Sequence, residues 1–111
     1  MRRYELNIAA FGEGGHFRTH IDINDKSIVQ NMRVVTAVYY FFSEPKQFEG
    51  GELIMYPAAF LPGLDEPVAL SPENNSLVVF SSVAPHSVAP VRSSNLAFKD
   101  YRFSVNCWLI N

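Results

Sequence analysis

The chain has 111 residues, 48% of them apolar, with 9 Lys and Arg against 11 Asp and Glu and a formal charge of −2. That is the size of one domain with one core; the apolar runs are far shorter than a membrane span, and no basic cluster offers a footprint for nucleic acid. Cys107 is the only cysteine, which excludes an intrachain disulfide, and the opening MRRYELNIAA lacks the apolar core and cleavage site of a signal peptide, so a reducing, cytoplasmic location is expected.

Short bursts of β-branched and aromatic residues separated by Gly, Pro, Asn and Ser predict strands joined by turns. The first strand is expected from Tyr4 to Phe11 and the second from His16 to Asp22. In the stretch HFRTHIDIND, His20 and Asp22 stand two apart, and alternate residues of a strand project to one face, so an imidazole nitrogen and a carboxylate oxygen lie side by side. Arg18 shares that face by the same parity. NDKSIVQNM has room for a short turn of helix before a third strand from Arg33 to Phe42. Both alternating sets of this third strand are largely apolar, as in a strand covered on both faces, and Tyr40 points inward with Thr36 and Val38. The glycines of GGEL, Gly50 to Leu53, permit a tight backbone path into a strand from Glu52 to Tyr56.

Further strands are expected from Ser76 to Ser82, His86 to Val91 and Arg102 to Ile110. In the last, Phe103, Val105, Cys107 and Leu109 share one face while Arg102, Ser104, Asn106 and Trp108 share the other. No segment carries sustained helical periodicity. The expectation is one mainly β domain over residues 1–111 with few or no helices, arranged as a sandwich, barrel or jelly roll. Its apolar outer strand faces need cover, which flanking N-terminal helices outside this chain or a homodimer would supply.

His20 and Asp22 provide two corners of a metal site, and His86, after the turn-forming Pro85, provides a third. Two His and one carboxylate on one face, with the remaining positions open, suit non-haem Fe(II) oxygenases. An H-x-D pair alone is a weak signal, and His86 alone also reads as a core or turn histidine bonded to backbone. Arg102 opens an apolar strand, and a buried guanidinium needs an anion: Glu52 or Asp100 in a salt bridge, or the distal carboxylate of a small dicarboxylic acid. Arg92 is the rival, in a Ser/Asn-rich loop where solvation is the simpler reading. His16 reads as a rim residue and Cys107 as a small buried hydrophobe.

Taken in order, HFRTHID, VVTAVYYFF, FEGGELIMY, NSLVVFSSVAPHSVAPV and YRFSVNCWL resemble the prolyl 4-hydroxylase-like branch of the 2-oxoglutarate/Fe(II)-dependent dioxygenases, over nearly the whole chain. The resemblance implies a double-stranded β-helix, that is, a jelly roll, with His20, Asp22 and His86 as iron ligands and Arg102, with Tyr40, on the C5 carboxylate of 2-oxoglutarate. Phe11 falls near a position where relatives carry a tyrosine, and Arg18, Asn106 and Trp108 fall where a side chain meets substrate or supports the ligands. The interval from His86 to Arg102 is lengthened by RSSNLAFKD, which reads as a surface loop extension. The implied cofactors are Fe(II), 2-oxoglutarate and O2, with ascorbate as a candidate. The implied reaction is hydroxylation of an unactivated C–H bond, with succinate and CO2 as coproducts. The substrate expected first is a prolyl residue of a peptide or protein; free amino acids and other small molecules are alternatives. A cupin-like metalloprotein that uses the triad without 2-oxoglutarate and a non-catalytic metal-binding module are the competing readings.

Overall fold

The computed structural model describes residues 3–23, 32–93 and 95–111. Their strands in chain order are β1 (Arg3–Phe11), β2 (Phe17–His20), β3 (Arg33–Phe41), β4 (Glu49–Gly50), β5 (Leu53–Met55), β6 (Val68–Leu70), β7 (Ser76–Ser81), β8 (His86–Val88), β9 (Val91–Arg92) and β10 (Arg102–Ile110). The major sheet runs β1-β10-β3-β7 and the minor sheet β2-β8-β5-β6, with β4 and β9 forming a separate pair. All pairings are antiparallel, as expected of a jelly roll.

The long strands fall where the sequence pattern puts them, and the differences have local causes. The strand expected from His86 to Val91 divides into β8 and β9. Pro90, between them, has no N–H to continue the ladder, and its carbonyl accepts from the Gly51 N–H instead (3.2 Å). The second expected strand ends at His20, two residues before Asp22. The strands β4 and β6 were not expected, having two and three residues and no readable alternation. The short helix expected over NDKSIVQNM falls almost wholly outside the described residues. The loop extension before Arg102 instead contains a 3-10 turn, Phe98–Asp100.

Inward-facing Val38 and Tyr40 of β3 build one core cluster with Phe42, just beyond the strand, and with Phe48 and Val91. Leu53, Met55 and Ala84 form a second, on the minor sheet. The inward positions of β10 do not continue this apolar filling: Arg102, Ser104, Asn106 and Trp108 all face a cavity of about 490 Å³ between the sheets. That volume lies within the range of small-molecule sites.

The outer face of the major sheet is apolar and open in this chain. Leu6 is 60% exposed and Ile8 71% on β1, and Leu77 and Val79 are similarly exposed on β7. The double-sided cover expected for β3 is therefore absent on its outer side among the described residues, and Cys107 is half-buried on that face rather than in the core. No helix of the described residues is long and apolar enough to cross a membrane.

Candidate active site

His20 and His86 lie opposite one another on β2 and β8, their rings 4.3 Å apart. Each ring has its Nδ1 committed to a backbone carbonyl, His20 to Arg18 (2.6 Å) and His86 to Ala84 (2.9 Å). Such a bond keeps a proton on Nδ1, so the Nε2 lone pair is free whenever the ring is neutral. Both Nε2 atoms face the same oxygen, Asp22 Oδ1, at 3.3 Å from His20 and 3.5 Å from His86. The three donor groups lie within 4.8 Å of one another, the one such metal-competent cluster among the described residues.

Asp22 reaches this position by a different route from the expected strand parity. It lies beyond β2, and its N–H donates to the Ser82 carbonyl (2.8 Å), hooking the chain from the minor sheet onto the turn that follows β7 of the major one. Its Oδ2 accepts from Thr36 Oγ1 (2.8 Å) and Trp108 Nε1 (3.2 Å). Burial works against the ionised carboxyl, yet the hydrogen bonds from His86, Thr36 and Trp108 and the neighbouring His86 charge hold its pKa down at about 2. Burial likewise opposes the charged form of His86, and the Asp22 carboxylate and the Ala84 carbonyl outweigh it, raising the pKa above its ordinary value.

At the other end of the cavity Arg102 is 2% exposed. Its Nε donates to the Gly51 carbonyl (2.9 Å) and its Nη2 approaches the Tyr40 hydroxyl (3.5 Å). The Phe11 and Tyr40 rings flank the guanidinium, with centroids 5.1 and 5.0 Å away. Neither Glu52 nor Asp100 makes the salt bridge weighed from the sequence: no carboxylate pairs with Arg102 among the described residues. Burial pushes its pKa down, opposed by Tyr40 and the more distant Glu52, and burial pushes the Tyr40 hydroxyl up. Gly51 makes room for this guanidinium. Its φ of +70° favours glycine, and a Cβ there would lie 2.8 Å from Arg102 Cδ.

Of the other candidates, Phe11, Asn106 and Trp108 line the cavity, and Arg18 and Arg92 do not. Arg18 misses because β2 carries a bulge: Phe17 pairs with Val88 and His20 with His86, three steps on one strand against two on the other. Phe17, three residues before His20, therefore shares its side, with the two rings 4.3 Å apart. Arg92 is exposed on β9, and His16 is exposed just before β2. Thr36, Phe17, Arg33 and Ser82 were not singled out from the sequence. For Thr36 a signal existed, the one aliphatic hydroxyl in the apolar run VVTAVYYFF.

The donor set fits a divalent iron: two imidazoles and one carboxylate converging on one wall of a cavity, with the cavity side left open. The other end fits a carboxylate, because a buried guanidinium and a hydroxyl meet there with no carboxylate of the described residues paired to them.

The family described as the 2OG-Fe(II) oxygenase superfamily matches residues 6–110. An uncharacterized PKHD-type hydroxylase of Synechocystis sp. is 34% identical over 109 residues, covering 95% of this chain and 35% of that protein. The crystal structure of a prolyl-4-hydroxylase from Pseudomonas putida superposes with a TM-score of 0.67 at 27% identity, over 96% of this chain and 52% of that one. An oxidoreductase of the 2OG-Fe(II) oxygenase family from Burkholderia pseudomallei gives a TM-score of 0.66 at 18% identity, over 97% of this chain and 46% of that one, a likeness of fold. The chain thus spans about half the length, or less, of these relatives.

Proposed function

The chain belongs to the 2OG-Fe(II) oxygenase superfamily, on its prolyl 4-hydroxylase-like side, and on that premise we propose that it hydroxylates an unactivated C–H bond of a peptidyl substrate, a prolyl residue first among candidates. The balance is one O2 divided between the new hydroxyl and succinate, as 2-oxoglutarate loses CO2. The observation that carries this reading is the pairing, in one cavity, of the His20, Asp22 and His86 cluster with a buried Arg102 that forms no ion pair with a carboxylate among the described residues.

His20 and His86 would hold Fe(II) through Nε2 and Asp22 through Oδ1, since those atoms face the common point while the Nδ1 atoms are committed to carbonyls. Iron when bound supplies the redox chemistry. The chain's own residues bind and orient. Arg102 and Tyr40 take the distal carboxylate of 2-oxoglutarate, a charge-assisted contact strengthened by the dry wall of Phe11, Val38 and Leu53. Phe17, Ile21 and Ile23 also line the cavity and help keep water from the reacting carbon. O2 is the oxidant, and ascorbate is the reductant that would keep iron ferrous between turnovers.

Arg102 also separates this reading from a metal site that works without 2-oxoglutarate, which has no need of a buried, unneutralised guanidinium. The test is an anaerobic Fe(II) or Mn(II) titration of the chain, followed by succinate release in air with 2-oxoglutarate and proline-containing peptides. Metal uptake with peptide-stimulated succinate is the expected result. No metal affinity in the folded chain would overturn it.

A further inference from the structure

The two oxygens of Asp22 have unlike surroundings. Oδ1 faces the two imidazoles, whereas Oδ2 receives one hydrogen bond from Thr36 and one from Trp108. Two donors fill the two in-plane lone pairs of a carboxylate oxygen, so Oδ2 has none left to offer a metal.

The two donors are themselves held. The Thr36 hydroxyl gives its single proton to Asp22 and so accepts from Ser82 Oγ (2.9 Å). The Arg33 guanidinium lies 4.1 Å over the Trp108 ring and donates to Glu5 Oε1 (2.9 Å) and to the Asp22 carbonyl (3.4 Å). Glu5, Trp108 and Thr36 form one rung across β1, β10 and β3. The indole is thus clamped between a charged pair and the carboxylate.

We propose that Trp108 and Thr36 are positioning residues that restrict Asp22 to one-oxygen ligation and so keep three metal positions open. This rests on the reading of His20, Asp22 and His86 as a metal triad. A carboxylate free to turn can ligate through both oxygens. Doing so would take a fourth position of the six and leave too few for a chelating cosubstrate together with O2.

The test counts exchangeable waters on Mn(II) bound to the chain, from the hyperfine signal of ¹⁷O-enriched water. The wild type is expected to hold three, the number a facial triad leaves open. Trp108→Phe and Thr36→Val, each freeing one lone pair of Oδ2, are expected to hold two, and Thr36→Ser, which restores the hydroxyl, three. A count of three in both Trp108→Phe and Thr36→Val overturns the proposal, as does an equal loss in Thr36→Ser, which would mark a packing effect. Thr36→Val changes volume little and keeps the test alive should Trp108→Phe fail to fold. Failure of the wild type to take up Mn(II) is a separate outcome that removes the triad reading itself.

Discussion

The two faces of β10 invert the usual order of a sandwich strand. Its inward positions are Arg102, Ser104, Asn106 and Trp108, and its outward positions Phe103, Val105, Cys107 and Leu109. In most half-buried strands the apolar set faces the core. Here the inner set lines a cavity, and each polar group is aimed at something: Arg102 at Gly51 and Tyr40, Ser104 at Asn106, Trp108 at Asp22. The outer set continues an apolar surface across β1, β3 and β7. The inner face is specialised for binding at the expense of core packing, and substitutions on the two faces should separate ligand affinity from surface behaviour.

The sharpest break comes at the metal end. His86→Ala removes one of three donors and is expected to weaken Mn(II) binding by more than the roughly 10–100-fold that loss of a supporting partner costs. Trp108 is the only tryptophan, and its Nε1 bonds to Asp22, so quenching of its emission on metal binding reports the titration. An affinity within tenfold of wild type would remove His86 from the site.

Next is the anchor end. Arg102→Met is expected to weaken 2-oxoglutarate binding by roughly 10–100-fold, the loss of a charged hydrogen bond of about 1.5–3 kcal/mol, with Mn(II) affinity unchanged. The thermal midpoint without ligand should stay level or rise, because a buried cation with no carboxylate partner among the described residues is removed. A large fall in stability together with unchanged 2-oxoglutarate affinity would make Arg102 a structural residue. Arg92→Met, on exposed β9, is the matching control and should change neither quantity.

On the outer face the effects are expected to be smaller and of another kind. Ile8→Lys, at a position 71% exposed, should shift stability by no more than about 0.5 kcal/mol and leave Mn(II) and 2-oxoglutarate binding unchanged. Binding of a hydrophobic dye should fall, since the apolar patch is broken. Altered metal affinity in this variant would mean that the two faces are coupled through β1.

The inverted alternation of β10 was legible from its period of two. The family resemblance pointed the H-x-D pair and His86 to one site, where the structure brings them together. What was not legible depends on contacts distant in sequence. Asp22 is set by a backbone bond to Ser82, sixty residues away, and not by parity with His20. The bulge in β2 shifts Phe17 into the cavity and Arg18 out of it, and no local pattern in HFRTH announces it. Arg102 and Arg92 are both arginines at strand positions, and the Gly50–Gly51 turn lies against both; what separates them is that Arg102 lines the cavity between the sheets while Arg92 is exposed on β9.

A pH dependence is confined to the inner face. Without metal, His86 has a pKa raised above 6.5 by Asp22 and the Ala84 carbonyl, whereas Asp22, at about 2, is ionised throughout the working range. A metal needs the unprotonated Nε2, so its uptake displaces a proton from His86 below that raised pKa. Mn(II) affinity should therefore climb with pH, by up to about tenfold per unit, and level off once the raised value is passed. Metal-free stability should run the other way. A folded pKa above the unfolded one contributes stability that is full below about 6.5 and lost as pH rises through the folded value. Asp22→Asn removes the carboxylate that raises His86, so the decline in metal-free stability over that window should flatten. Parallel rather than opposed trends of affinity and metal-free stability in the wild type would show that His86 does not carry the displaced proton.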